Sequence, residues 1–107
     1  MARQECDYFE GWEQVTITKL DTSHPYVDGY CYINKALKMA WFTGTVYNGT
    51  QAFSGLPKPS VTVKGNGTDT TNKANVVYID TTGIVRIASG SDPSYYNTSI
   101  IYPYASL

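Results

Sequence analysis

The stretch Leu37-Lys-Met-Ala-Trp-Phe-Thr-Gly-Thr-Val-Tyr47, continued by Asn48-Gly-Thr-Gln-Ala-Phe-Ser-Gly-Leu-Pro-Lys-Pro59, decides the fold class. Its first part is a strand-length run in which Leu37, Met39, Trp41, Thr43, Thr45 and Tyr47 share one parity. Trp41, grouped with Leu37 and Met39, is expected in the core. Asn48-Gly49-Thr50 supplies a tight turn, Ala52–Leu56 a short apolar strand, and Pro57 and Pro59 a stop, because neither proline can donate to a ladder. The stretch is a β-module and carries no catalytic element.

Outward from it, the remaining chain keeps the same grammar. Trp12–Leu20 predicts a first strand with Val15 and Ile17 on one face and Thr16 and Thr18 on the other. The loop Asp21-Thr-Ser-His-Pro-Tyr-Val-Asp28 leads to a second strand, Tyr30–Asn34, and Lys35-Ala36 turns into the long run. Val61 and Val63 mark a fifth strand. Gly65-Asn-Gly-Thr-Asp-Thr-Thr-Asn72 holds no apolar residue and predicts a mobile surface loop. Asn75–Ile79 and Ile84–Ala88 flank Asp80-Thr-Thr-Gly83, the clearest hairpin signal in the chain. A second polar loop, Ser89–Ser94, leads through Tyr95-Tyr96 to a last strand, Thr98–Tyr104, in which Pro103 predicts an edge position or a chain-end contact.

With 107 residues the chain is one domain, and residues 1–11 read as an amino-terminal arm or linker before a β-domain at 12–107. Thirteen threonines and ten tyrosines favour strands, and no ten-residue stretch has helical apolar spacing. About eight strands separated by turns predict an all-β, antiparallel two-sheet sandwich of jelly-roll type. An immunoglobulin-type sandwich fits less well, since Cys6 and Cys31 both precede Trp41.

The formal charge of −1, with scattered basic residues, excludes a nucleic-acid partner that needs a basic stripe. No apolar run approaches the ~20 residues of a membrane span, and the opening lacks a signal peptide's apolar centre. The sequence therefore predicts no membrane insertion and no export signal. Cys6 and Cys31 match no zinc spacing and read as two free thiols, with a bridge as the alternative. Three sequons begin at Asn48, Asn66 and Asn97, and Asn-Gly is better explained by the left-handed backbone of a hairpin turn.

Enzyme constellations are nearly absent, and no catalytic residue, metal or cofactor is expected. The single histidine, His24, lies between Asp21 and Asp28, but Ser23 is its neighbour in sequence and no Gly-x-Ser-x-Gly elbow exists. Asp80 and Asp92 sit in turn contexts where capping of the backbone explains them. The aromatics are more informative. Tyr26, Tyr95 and Tyr96 lie in or beside polar loops that also hold His24, Asp28, Asp92 and Asn97, and Trp12 opens the first strand beside acids. A ring face flanked by amide and carboxylate acceptors suits a sugar, whose C–H face packs on the ring while its hydroxyls exchange hydrogen bonds. The same tyrosines suit sheet ends or subunit contacts, and the same composition suits a protein partner.

Four elements together resemble the carboxy-terminal head domains of bacteriophage tail-fibre and receptor-binding proteins. They are Gly44-Thr-Val-Tyr47, Leu56-Pro-Lys-Pro59, Val77-Tyr-Ile-Asp-Thr-Thr-Gly-Ile-Val85 and Ser99-Ile-Ile-Tyr-Pro-Tyr104, and the resemblance covers Trp12 to Tyr104. It implies a non-enzymatic β-sandwich head that forms a homotrimer at a fibre or baseplate tip. Such a head is made in the bacterial cytoplasm and adsorbs the virion to a host-surface saccharide or protein. Receptor sites in that family diverge, so no residue is carried over from it. A purely structural virion domain (a trimerisation cap or decoration module) and a carbohydrate-binding module cut from a secreted enzyme are the alternatives.

Overall fold

The long run beginning at Met39 is the central element, and its neighbours decide which of its faces is buried. In the computed structural model, which describes residues 11–90 and 93–107, this strand is β4, Met39–Tyr47. It pairs on one side with β3, Asp28–Asn34, and on the other with β9, Tyr95–Pro103. The cross-strand rows Ile33–Ala40–Tyr102 and Cys31–Phe42–Ile100 are apolar throughout and buried. Trp41 belongs to the opposite face, in the row Tyr32–Trp41–Ile101, and is only half-buried. The expectation of a core Trp41 is therefore corrected. Both parities of the run carry apolar side chains, and the pairing of β3 and β9 chooses between them. Of the residues that share Trp41's parity, Leu37 sits exposed in the preceding turn and Met39 is half-buried.

The described residues form nine strands in one antiparallel sheet, with no helix. The remaining strands are β1 Trp12–Val15, β2 Thr18–Lys19, β5 Gln51–Ser54, β6 Val63–Thr68, β7 Ala74–Ile79 and β8 Val85–Ile87. The order across the sheet is β1-β3-β4-β9-β6-β7-β8-β5-β2. β1 and β2 are the two edges, yet only Thr16 and Ile17 separate them in sequence. The sheet must therefore curl until its edges approach, forming a half-barrel. Phe42 of β4 and Phe53 of β5 meet across the interior with ring centroids 5.6 Å apart. The predicted single first strand is thus two, bent so that each part serves a different edge.

Two further expectations change. The Asn48-Gly49 turn forms, with Gly49 at φ 74° and the Thr50 N–H donating to the Tyr47 carbonyl. It does not close a hairpin, because β5 pairs with β8 and β2 instead of β4. The Asn48 amide fastens this corner elsewhere, its Oδ1 accepting the Gly90 N–H at 2.7 Å and the Asn75 side-chain amide at 3.0 Å. The predicted loop at Gly65–Asn72 is strand as far as Thr68. A Cβ on Gly65 would lie 2.5 Å from Cγ1 and Cδ1 of Ile100, and one on Gly67 3.1 Å from Tyr96 Cβ. Glycine occurs there because backbone lies directly on the core, so the lack of apolar side chains signals close approach, not exposure.

The Asp80–Gly83 hairpin between β7 and β8 is present. Asp80 Oδ1 accepts the N–H groups of Thr82 and Ile84 and the Thr82 hydroxyl, and Gly83 has φ 80°. Pro103 lies beyond the reach of β6, which meets β9 only at Gly67–Thr98 and Thr68–Asn97, so its missing donor costs no ladder bond. Cys31 is a buried thiol that desolvation pushes up to about 12. Residues 1–10, which include Cys6 and nearly all of the predicted arm, lie outside the described residues. No helix among the described residues is long and apolar enough to cross a membrane.

Candidate functional site

The outward parity of β4 and β9 is rich in hydroxyls and aromatic rings. At one end of these strands Tyr47 and Tyr95 are cross-strand partners, with centroids 5.1 Å apart and ring planes at 75°. The loop between β2 and β3 folds over them. It is hung on β5 by the Leu20 N–H donating to the Ala52 carbonyl at 2.8 Å, and Val27, wholly buried, anchors its far side. Between these anchors His24 stacks flat on Tyr47, 3.7 Å away with planes at 10°, and stands edge-on to Tyr95 at 6.2 Å. Tyr26 contacts Tyr95 edge-to-face at 5.4 Å and is 72% exposed.

His24 is fixed by Asp21, a nearly buried carboxylate. Nδ1 of His24 lies 3.0 and 2.9 Å from the two oxygens of Asp21, and the Ser23 N–H donates to Oδ1 at 3.1 Å. A carboxylate only accepts, so Nδ1 carries the proton and the ring orientation is set. Burial alone would raise Asp21. The hydrogen bonds from His24, Ser23 and Thr50 and the charge of His24 outweigh it and hold the carboxyl below its ordinary value. This pair braces the loop so that Tyr26 presents its ring to solvent.

The next row inward along the strands is Asp28–Thr45–Asn97. The Thr45 hydroxyl donates to Asn97 Oδ1 at 2.7 Å, which turns the amide so that its NH2 donors are left for a ligand. Asp28 Oδ1 accepts its neighbour's Gly29 N–H at 2.9 Å, leaving Oδ2 as an acceptor. The row after that is Tyr30–Thr43–Ser99. Between the two rows lies a shallow groove of about 230 Å³ lined by Asp28, Tyr30, Thr43 and Thr45 over the Gly29–Gly44 backbone.

Of the residues singled out in the sequence, His24, Tyr26 and Tyr95 meet in one cluster, and Asp28 and Asn97 occupy the row beside it. Tyr96 does not belong. It has the inward parity of β9 and is 2% exposed, a core residue facing the Gly67 backbone. Adjacent tyrosines in a strand point to opposite faces, so the pair cannot act together. Trp12 packs edge-on to Trp41 at 6.3 Å, near the other end of β4 and away from the cluster. Asp92 lies outside the described residues. Tyr47, Tyr30, Thr43 and Thr45 were not anticipated. For Tyr47, Thr43 and Thr45 the signal is the Thr/Tyr parity of the long run, which marks a solvent-facing row once Phe42 is known to point inward; Tyr30 joins them only through the pairing of β3 with β4.

A larger hollow of about 350 Å³ lies on the other half of the sheet, lined by Thr62, Tyr78, Asp80, Arg86 and Ile87. Its charges satisfy each other, since Arg86 donates to Asp80 Oδ2 at 2.9 Å and Asp80 Oδ1 is taken by the hairpin. We therefore place the candidate site at the Tyr26–Tyr95 cluster, where ring and polar groups remain available. Among the described residues no three His, Cys, Asp or Glu side chains gather in a metal-binding group. Comparison with protein-family models, curated proteins and solved structures finds no match for this chain.

Proposed function

We propose that this chain is a non-enzymatic, phage-type receptor-binding head that adsorbs to a host-surface saccharide. The observation that carries the reading is the Tyr26 ring, exposed yet propped edge-on by Tyr95, one row from Asp28 and Asn97. A rigid ring with acceptors and amide donors beside it is the arrangement a sugar face and its hydroxyls need. The likeness of Gly44–Tyr47, Leu56–Pro59, Val77–Val85 and Ser99–Tyr104 to tail-fibre heads adds the virion setting. In that setting the head is a homotrimer at the tail tip, joined to the rest of a fibre or baseplate. We also read the half-barrel as a jelly-roll-like sandwich. The two-residue junction of β6 with β9 and the bend at Thr16–Ile17 support a division into two facing layers.

Light scattering tests the assembly, with a trimer expected and a micromolar monomer counting against the head. Retention on host cells, competed by purified wall polysaccharide, tests the binding. A structural virion cap is the second reading, favoured by the exposed apolar side chains of Val61, Val76 and Leu107. A trimer that binds no cell surface supports that cap and refutes the head.

A further inference from the structure

The outward rows of β3, β4 and β9 run from the aromatic cluster into the groove without interruption. Their order is Tyr47–Tyr95, then Asp28–Thr45–Asn97, then Tyr30–Thr43–Ser99. Tyr26, in the turn ahead of β3, reaches the first row through its edge-on contact with Tyr95 at 5.4 Å, and Tyr30 stands in the third row, so an exposed ring lies at each end. Successive rows on one face are two residues apart, about 7 Å, so the three rows span roughly 14 Å. That is longer than one sugar ring. The last row is closed by Trp41, whose indole N–H donates to the Ser99 hydroxyl at 2.8 Å.

The charge on these rows selects the ligand. Asp28 is their one carboxylate, and no lysine or arginine belongs to them. An acidic polymer would meet repulsion at Asp28, and the nearest basic group, His24, is already paired with Asp21. A protein strand needs unpaired backbone donors and acceptors, and over this face β4 is paired on both sides; the Asp28–Tyr30 edge of β3, beyond its pairing with β1 at Cys31–Asn34, is without a partner strand among the described residues. What remains on offer is one exposed ring at each end and hydroxyl, amide and carboxylate groups between them. We propose that this face is an extended track for an unbranched neutral oligosaccharide of at least two rings. One ring packs on Tyr26, and the chain runs along β4 so that a following ring lies over the Asp28–Thr43 groove against Tyr30. This inference deepens the saccharide reading above and rests on it.

Calorimetric titration with neutral malto-, cello- and chito-oligosaccharides of one to four units tests it, alongside purified host-wall polysaccharide and an oligogalacturonate. Affinity for the series that binds is expected to rise at least about tenfold between one unit and three. The ratio of trisaccharide to monosaccharide affinity is expected to collapse toward one in both Tyr30→Ala and Thr43→Lys. Either variant suffices if the other fails to fold. Affinity independent of chain length overturns the track while leaving the saccharide reading intact. A ratio that survives both substitutions, or an oligogalacturonate that outbinds the neutral series, does the same. Absence of binding to every oligosaccharide and to the wall polysaccharide overturns the saccharide reading itself.

Discussion

Replacing Gly65 by alanine should destabilise this protein, and the same replacement should become stabilising once Ile100 is shortened. Gly65 lies in β6 with backbone angles outside the left-handed region, so alanine is sterically allowed by φ and ψ. In the unfolded chain the substitution removes backbone freedom, worth about 0.4–1 kcal/mol in favour of folding. In the folded chain the new Cβ meets Cγ1 and Cδ1 of Ile100 at 2.5 Å. Ile100 is β-branched and buried between β4 and β6, so it cannot swing clear without leaving its rotamer. Overpacking of this kind costs about 1–3 kcal/mol, leaving a net loss of about 0.5–2 kcal/mol. Ile100→Ala alone should cost about 2–5 kcal/mol through the cavity it opens. In that background the nearest remaining atom is the Cβ of residue 100, 3.7 Å from the new methyl, an ordinary contact. Gly65→Ala should then stabilise by up to about 1 kcal/mol, giving a coupling of about 1–3 kcal/mol. Urea unfolding of the four proteins, followed by tryptophan fluorescence, measures the cycle. A Gly65→Ala effect of the same sign and size in both backgrounds refutes the argument that close approach explains this glycine.

Two further outcomes follow from the hydrogen bonding. Burial would raise the Asp80 carboxyl, but the Thr82 hydroxyl, Arg86 and the Ile84 and Thr82 N–H groups together lower it to about 2. A depressed carboxyl stabilises above its unfolded value near 3.8 and loses that contribution as pH falls toward 2. Asp80→Asn should therefore cost on the order of 1–2 kcal/mol at pH 6, discounted for solvent around the half-exposed Arg86, and almost nothing at pH 2. Urea titrations at the two pH values check this, and a pH-independent difference contradicts it. Tyr102→Phe removes the donor of a buried hydrogen bond to the Pro57 carbonyl, 2.8 Å long. It should lower stability by about 1–3 kcal/mol, read as a shift of the thermal midpoint.

How much of this was legible in the sequence depended on whether local pattern or distant pairing held the information. The Asp80–Gly83 hairpin was legible because one aspartate, one threonine and one glycine make the turn from within four residues. The face of β4 was not, since Trp41 and Phe42 are equally plausible core residues until β3 and β9 are in place. Gly65 and Gly67 misled for a related reason, because a strand that packs backbone against Ile100 and Tyr96 has no apolar side chain to announce it. The bend at Thr16–Ile17 is likewise invisible locally; only the positions of β3 and β5 require it. At the site, His24, Tyr26 and Asp28 were found through their loop composition. Tyr47, Thr43 and Thr45 were hidden by the same parity error that misplaced Trp41. Tyr96 lies beside the same polar loop as Tyr95, but strand alternation sends the two to opposite faces.

In the function proposed above, Tyr26 offers its ring to a saccharide while Tyr95 and the His24–Asp21 pair hold it in place. The decisive measurement is binding of the Tyr26→Ala protein to purified host-wall polysaccharide, by calorimetry beside the parent. Tyr26 is exposed, so the variant should keep the parent's oligomeric state and thermal midpoint. Affinity is predicted to fall at least about tenfold, the factor that corresponds to about 1.4 kcal/mol of lost ring contact. An affinity equal to the parent's, in a variant of unchanged fold, would mean that Tyr26 is not the saccharide platform.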